Sequence, residues 1–156
     1  MLAERVMKKS PVTVSCEEHV HRALEVMRQH NFRMLPVVDG EGHVRGLFFD
    51  VYVIEKLVPE YITDGHLDAV SYAPDIGVLH THYVSLMNKR VEELMDTDPL
   101  LVKPGTSLLS VASALISHDR HECALVVDKE NRLLGLITAR DVLDWLWQLK
   151  DEVGDA

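Results

Sequence analysis

A hydroxyl and a carboxylate stand three residues apart at Thr138 and Asp141, within the stretch LLGLITARDVLDWLW of Leu133–Trp147. The stretch reads as a buried strand, a turn and a helix. Gly135 opens the strand, Leu136 and Ile137 are apolar, Thr138 sits where the strand ends, and Asp141 falls on the first turn of the helix. At such a junction both side chains can face one small ligand. The helix N-terminus adds N–H groups with no partner inside the helix and a partial positive charge. A phosphate on the hydroxyl and amide side, with a diol on the carboxylate side, satisfies all of them, and that describes a ribose phosphate. The same two residues also make a helix cap, with Thr138 as the cap and Asp141 as the acidic half of a capping box. On these residues alone both readings stand.

Other reactive side chains form no comparable set. Among nine histidines, His80 and His82 are two apart, which is one face of a strand but different sides of a helix. His66 shares their segment, yet no Cys or Glu completes a zinc spacing. His19 and His21 flank a helix start. His30 and His118 occupy equivalent helix ends, where a protonated imidazole favours the dipole. Cys123 lies in an apolar strand as a core thiol, and Cys16 lies near a helix start. No nucleophile, base and orienting group fall into a recognisable arrangement, and no Ser sits in a nucleophile elbow or Gly-rich phosphate loop. The sequence therefore assigns no catalytic residue and no metal ligand.

The elements that position Thr138 and Asp141 come from a chain of 156 residues, 47% hydrophobic, with a formal net charge of −9. That size fits one domain or two small halves sharing a core. The negative charge argues against non-specific nucleic-acid binding and against an anionic membrane surface. No apolar run reaches the length of a membrane span, and Met1–Ser10 lacks an apolar signal core. The two cysteines form no metal or redox spacing, which suits a cytoplasmic protein with reduced thiols.

Read in order, the chain repeats itself. Leu2–Met7 suits a short lead-in helix, and Val12–Val14 a short strand. Glu17–His30 is amphipathic, with Val20, Ala23, Leu24 and Met27 on one helical face. Strands Met34–Val38 and Val44–Phe49 flank the turn signal Asp39-Gly40, and Val51–Leu57 closes the unit as a helix. This β-α-β-β-α order recurs over Glu92–Trp147. Met7, Pro11 and Val14 match Met95, Pro99 and Val102 at an offset of 88, and the helix face returns as Leu108, Val111, Ala112 and Leu115. Val37-Val38-Asp39 matches Val126-Val127-Asp128, and Gly46-Leu47 matches Gly135-Leu136, at an offset of 89. The one-residue drift falls in the loop near Asp119–His121, where related units diverge most readily. The predicted organisation is a first repeat over 1–58, a partly helical connector over 59–90, a second repeat over 91–149 and an acidic tail over 150–156. Within the connector, His66–Tyr72 and Val78–Asn88 suit helices, and the tail is expected to fray after Lys150.

This pattern resembles a tandem pair of cystathionine-β-synthase (CBS) domains, a Bateman module. The resemblance covers Leu2–Leu149 apart from the connector. It is carried by the repeat, by the hairpins LPVVDGEGHVRGLF and ALVVDKENRLLGLI, and by GLITARD. The resemblance implies an α+β fold of two repeats related by a pseudo-twofold axis, with a ligand cleft between them. It implies that Thr138 approaches phosphate, that Asp141 holds the ribose hydroxyls, and that Leu136 lines the wall. From the first repeat it brings Ser10 and Val12 near the base, Phe32 against the purine ring, and Arg33; Arg33 and Arg140 are candidate phosphate donors. The first repeat departs from the pattern: GLFFDVY puts Phe49 and Tyr52 where Thr138 and Asp141 stand in the second. The related cleft, drawing on Asp98, Leu100, His121 and Glu122, is therefore not expected to be an equivalent nucleotide site.

The implied function is regulatory rather than enzymatic. The module binds one adenosine-type ligand (AMP, ADP or ATP, with NAD or S-adenosylmethionine as lesser candidates), requires no cofactor, and signals to an effector protein in trans. Trp145 and Trp147, in a last helix apolar around much of its girth, point to a homodimer through helices. Two alternatives remain open: a ligand-free interaction or dimerisation module, and a metal or redox sensor built on the connector histidines or Cys16.

Overall fold

The structure, a computed structural model, describes residues 1–58, 76–118 and 123–153. The expected helix His66–Tyr72, and the candidates His121 and Glu122, lie outside the described residues. In chain order the elements are α1 (Ala3–Val6), β1 (Lys8–Lys9), β2 (Val14–Ser15), α2 (Val20–His30), β3 (Met34–Val38), β4 (Val44–Phe49), α3 (Asp50–Leu57), α4 (Ile76–Met87), a 3-10 turn (Val91–Glu93), β5 (Leu100–Val102), α5 (Leu108–Ser117), β6 (Cys123–Val127), β7 (Leu133–Thr138) and α6 (Ala139–Val153). The fold is α+β, with two sheets.

The chain forms two compact units that do not coincide with the two sequence repeats. The first comprises Met1–Val12, Gly40–Val44 and Asp98–Ala156. Its sheet has the order β1-β7-β6-β5. Strand β5 runs parallel to β6, whereas β6 and β7 are antiparallel, and β1 adds to β7 antiparallel with Lys8 opposite Leu136 and Lys9 opposite Gly135. The core of this unit gathers Ala3, Val111, Leu115, Val126, Ile137 and Val142, with Trp145 packed against it. Helix α5 is capped by Ser107, whose Oγ accepts the Ser110 N–H at 3.1 Å. In the β6–β7 turn the Asp128 carboxylate accepts the N–H groups of Glu130 at 2.8 Å and Arg132 at 2.9 Å. The Arg132 bond above all holds this carboxyl below its usual range.

The second unit comprises Thr13–Asp39 and Arg45–Thr97. Its sheet has the order β2-β3-β4. Val20, Ala23 and Met27 bury one stripe of α2, as their spacing demands. That helix stops where Asn31 turns left-handed at φ 56°. Helix α4 packs against α2 and α3.

Four local expectations shift. The strand expected at Val12–Val14 is observed as β2, Val14–Ser15, and Lys8–Lys9 forms a separate short strand, β1, that serves a different sheet; Ser10, between them, takes a left-handed φ of 49°. Helix α2 starts at Val20 rather than Glu17, since Ser15 draws the N–H of Glu17 to its side chain and that of Glu18 to its carbonyl in a preceding turn. Helix α6 continues three residues past Lys150, to Val153. His80 and His82 lie on a helix, which separates them around its axis. Among the described residues no three His, Cys, Asp or Glu side chains are grouped to hold a metal, and no helix is long and apolar enough to cross a membrane.

Two glycines explain how each unit is completed. A Cβ on Gly135 would lie 2.7 Å from the Lys8 carbonyl oxygen and 2.7 Å from Met7 Sδ. A Cβ on Gly46 would overlap the Asp96 carbonyl oxygen and lie 2.8 Å from Met95 Sδ. In the second unit Leu47 and Asp96 exchange backbone hydrogen bonds at 2.9 and 2.8 Å, matching the Leu136 and Lys8 pairing of the first. Each unit thus closes its hairpin with the lead-in segment that precedes the other repeat. The glycine is where that segment passes too closely for a side chain.

Candidate functional site

Thr138 ends β7 and Asp141 lies in the first turn of α6, so the strand-to-helix junction sets both. They meet each other first. The Thr138 N–H and hydroxyl both donate to Asp141 Oδ2, each at 2.8 Å, and the Asp141 N–H returns to Thr138 Oγ1 at 3.2 Å. This is a reciprocal capping box. The hydroxyl expected to face a phosphate is therefore directed at the carboxylate. The reason is local: at this spacing the carboxylate is the strongest acceptor within reach. The N–H groups of Ala139 and Arg140, first in the helix, lie ahead of its internal hydrogen-bond ladder, at the positive end of the dipole.

The second carboxylate oxygen, Oδ1, lies 3.3 Å from Lys8 Nζ. The Asp141 side chain is only 10% exposed, that of Lys8 66%. Lys8 was not among the residues read from the sequence as part of the site. The repeat offset carried a signal, since it aligns Lys8 with Asp96 just as it aligns Asp141 with Tyr52.

Six of the eight predicted site residues share one unit: Ser10, Val12, Leu136, Thr138, Arg140 and Asp141. Ser10 belongs to the first repeat by sequence but lies beside β7, its N–H directed at the Leu134 carbonyl at 3.4 Å. Ser10 is exposed, and Val12 and Leu136 are half-buried. Arg140 is exposed on the first turn of α6. Phe32 and Arg33 fall in the other unit. There Phe32 stacks on His30, with ring centroids 5.1 Å apart, and the Arg33 carbonyl accepts the Asp50 N–H at 3.1 Å.

The corresponding junction of the second unit is built differently. Phe49 and Tyr52 are both buried, their rings in an edge contact at 5.1 Å and 72°. Of the residues expected around the related cleft, Asp98 is exposed and its carbonyl lies 3.0 Å from His118 Nε2; Leu100 is half-buried in β5. Cys123 is buried in β6, and Cys16 is also buried.

Comparison with known proteins bears on this plan. The family model of the CBS domain matches residues 3–58 and again 91–148. An inosine-5'-monophosphate dehydrogenase of Methanocaldococcus jannaschii is 29% identical over 143 residues, 90% of this chain but 23% of that enzyme's length. A CBS domain-containing protein of Dictyostelium discoideum is 23% identical over 154 residues, 98% of this chain and 96% of its own. Among solved structures, the CBS-pair protein CBSX2 of Arabidopsis thaliana superposes with a TM-score of 0.76 at 23% identity, covering 96% of each chain. CBSX2 has also been solved in complex with AMP, and that structure superposes with a TM-score of 0.72 at 23% identity, covering 96% of this chain and 98% of CBSX2. With one family matched twice, on either side of a connector and over most of the chain, this protein belongs to the CBS domain family as a tandem pair.

Proposed function

We propose that the chain is a regulatory module that binds one adenosine-type nucleotide at the β7–α6 junction and passes the binding signal to an effector protein in trans. Asp141 accepts the ribose hydroxyls, Thr138 serves the site by holding that carboxylate through the cap, the first N–H groups of α6 meet phosphate, and Ser10, Val12 and Leu136 wall the base. Arg140 is placed to reach a phosphate, and Phe32 and Arg33 remain proposed contacts. The observation that carries this reading is the junction itself. A part-buried carboxylate and a hydroxyl share a helix N-terminus, beside a lead-in segment contributed by the other repeat. The AMP complex of CBSX2, a relative of matching length, supports adenosine as the ligand class. Binding shifts the module between states only through a difference in affinity for them, and the proposed role is regulatory. Cytoplasmic location and a homodimer through the helices complete the proposal. The dimer is supported by Leu109, Ile116, Leu143, Leu146 and Trp147, each more than half exposed on α5 and α6.

The reciprocal cap favours a second reading, a ligand-free interaction module, because Thr138 and Asp141 already satisfy one another. Thermal melting with AMP, ADP, ATP, NAD, S-adenosylmethionine and zinc decides between them. A ligand that binds only the folded state raises Tm. A rise with an adenosine ligand, lost in Asp141→Ala, supports the nucleotide module. No rise with any ligand supports the interaction module, and a rise with zinc alone supports a metal sensor.

A further inference from the structure

A carboxylate offers about four acceptor positions, two on each oxygen. At Asp141, Oδ2 already takes two donors from Thr138, its N–H and its hydroxyl. Oδ1 takes the Lys8 ammonium. A vicinal diol donating both hydroxyls to this carboxylate therefore needs a position that Lys8 fills. The cap cannot yield it without unbinding the helix start. The ammonium can, since Lys8 is two-thirds exposed on a flexible four-carbon stem.

The position of Lys8 is fixed by the sheet. It pairs with Leu136, and Leu136 and Thr138 lie on one face of β7, so Lys8 shares the face of the junction. The other unit supplies a natural comparison. Where Asp141 is replaced by Tyr52, the residue aligned with Lys8 is Asp96, whose backbone pairs with Leu47 just as that of Lys8 pairs with Leu136. Cation and carboxylate are present together in one unit and both replaced in the other. The backbone pairing is retained in each, so it does not require the lysine.

We infer that Lys8 is a hand-over cation: it holds Asp141 before binding and transfers to the nucleotide's phosphate as the ribose displaces it. This rests on the nucleotide reading above and adds selectivity to it. A bare nucleoside must break the Lys8–Asp141 pair with nothing to offer the released ammonium. A nucleotide gives it a phosphate to pair with. Lys8 thus makes the site select phosphorylated adenosine over adenosine.

Calorimetric titration of the full chain with AMP and with adenosine, for the native protein, Lys8→Met and Lys8→Arg at one ionic strength, tests the transfer. In Lys8→Met, AMP binding is expected to weaken by about tenfold, as for loss of one charge-assisted bond, while adenosine binding strengthens severalfold. Lys8→Arg is expected to keep the preference for AMP. Opposite signs for the two ligands support the hand-over. Weakening of both, strengthening of both, or no change in Lys8→Met overturns it while leaving the nucleotide site intact. If the native chain binds neither ligand, the nucleotide reading itself fails and the hand-over with it.

Discussion

The rings of Phe49 and Tyr52 meet edge to face at 5.1 Å, in the positions that Thr138 and Asp141 occupy in the other unit. One junction is thus welded by apolar contact and the other by a polar cap around a carboxylate with an exposed partner. This difference makes the sites unequal. The calorimetric stoichiometry of AMP is expected to be one per chain. Phe49→Ala removes a ring that is 5% exposed and is expected to cost about 3–5 kcal/mol in urea melts. A double-mutant cycle with Tyr52→Ala should return a coupling of about 0.5–1.5 kcal/mol for the ring pair.

Removing the cap separates stability from binding. Thr138→Ala breaks the reciprocal bonds and is expected to destabilise the chain by about 1 kcal/mol, measured by urea denaturation, and to lose AMP binding in the same preparation. Thr138→Ser keeps the oxygen and should restore both. A Thr138→Ala protein that binds AMP normally would remove this residue from the site.

Gly46 and Gly135 face equivalent obstacles, the carbonyl oxygens of Asp96 and Lys8. Gly46→Ala and Gly135→Ala are therefore expected to cost similar amounts, about 1–3 kcal/mol each, by chemical denaturation. Gly135→Ala should also weaken AMP binding, since it displaces the strand that carries Lys8. A neutral Gly135→Ala would contradict the close approach.

The Asp128 carboxyl titrates below its ordinary value because it accepts the Arg132 and Glu130 N–H groups. A carboxyl whose folded pKa is depressed contributes stability above its unfolded pKa of about 3.9 and loses it as the pH falls through the lower folded value. Asp128→Asn keeps an oxygen acceptor but removes the titration. Its urea midpoint is expected to fall less than that of the native chain between pH 5 and pH 3. Equal falls would assign acid sensitivity elsewhere.

The apolar surface of α5 and α6 carries the proposed dimer. Leu109 is 81% exposed, Ile116 75% and Trp147 69%. Sedimentation equilibrium is expected to give a dimer for the native chain and a monomer for Ile116→Glu combined with Leu143→Glu. A native monomer over the micromolar range would overturn that assignment.

The sequence by itself determined the elements and their repetition. The apolar period of Val20, Ala23 and Met27 places α2, the turn signal Asp39-Gly40 between two apolar runs places β3 and β4 at their observed bounds, and the shared offset marks two copies of one plan. These are local signals, written within one turn or one strand pair. The spacing of Thr138 and Asp141 likewise disclosed a hydroxyl–carboxylate couple. It could not say that the two would turn toward each other, because cap and ligand contact use the same atoms. Only the tertiary structure decided that Met1–Val12 joins the unit of the second repeat. The exchange depends on an antiparallel pairing between residues more than a hundred apart, Lys8 with Leu136, and no local period records such a pairing. It is this pairing that sets an ammonium against Asp141, and with it the chemistry of the site.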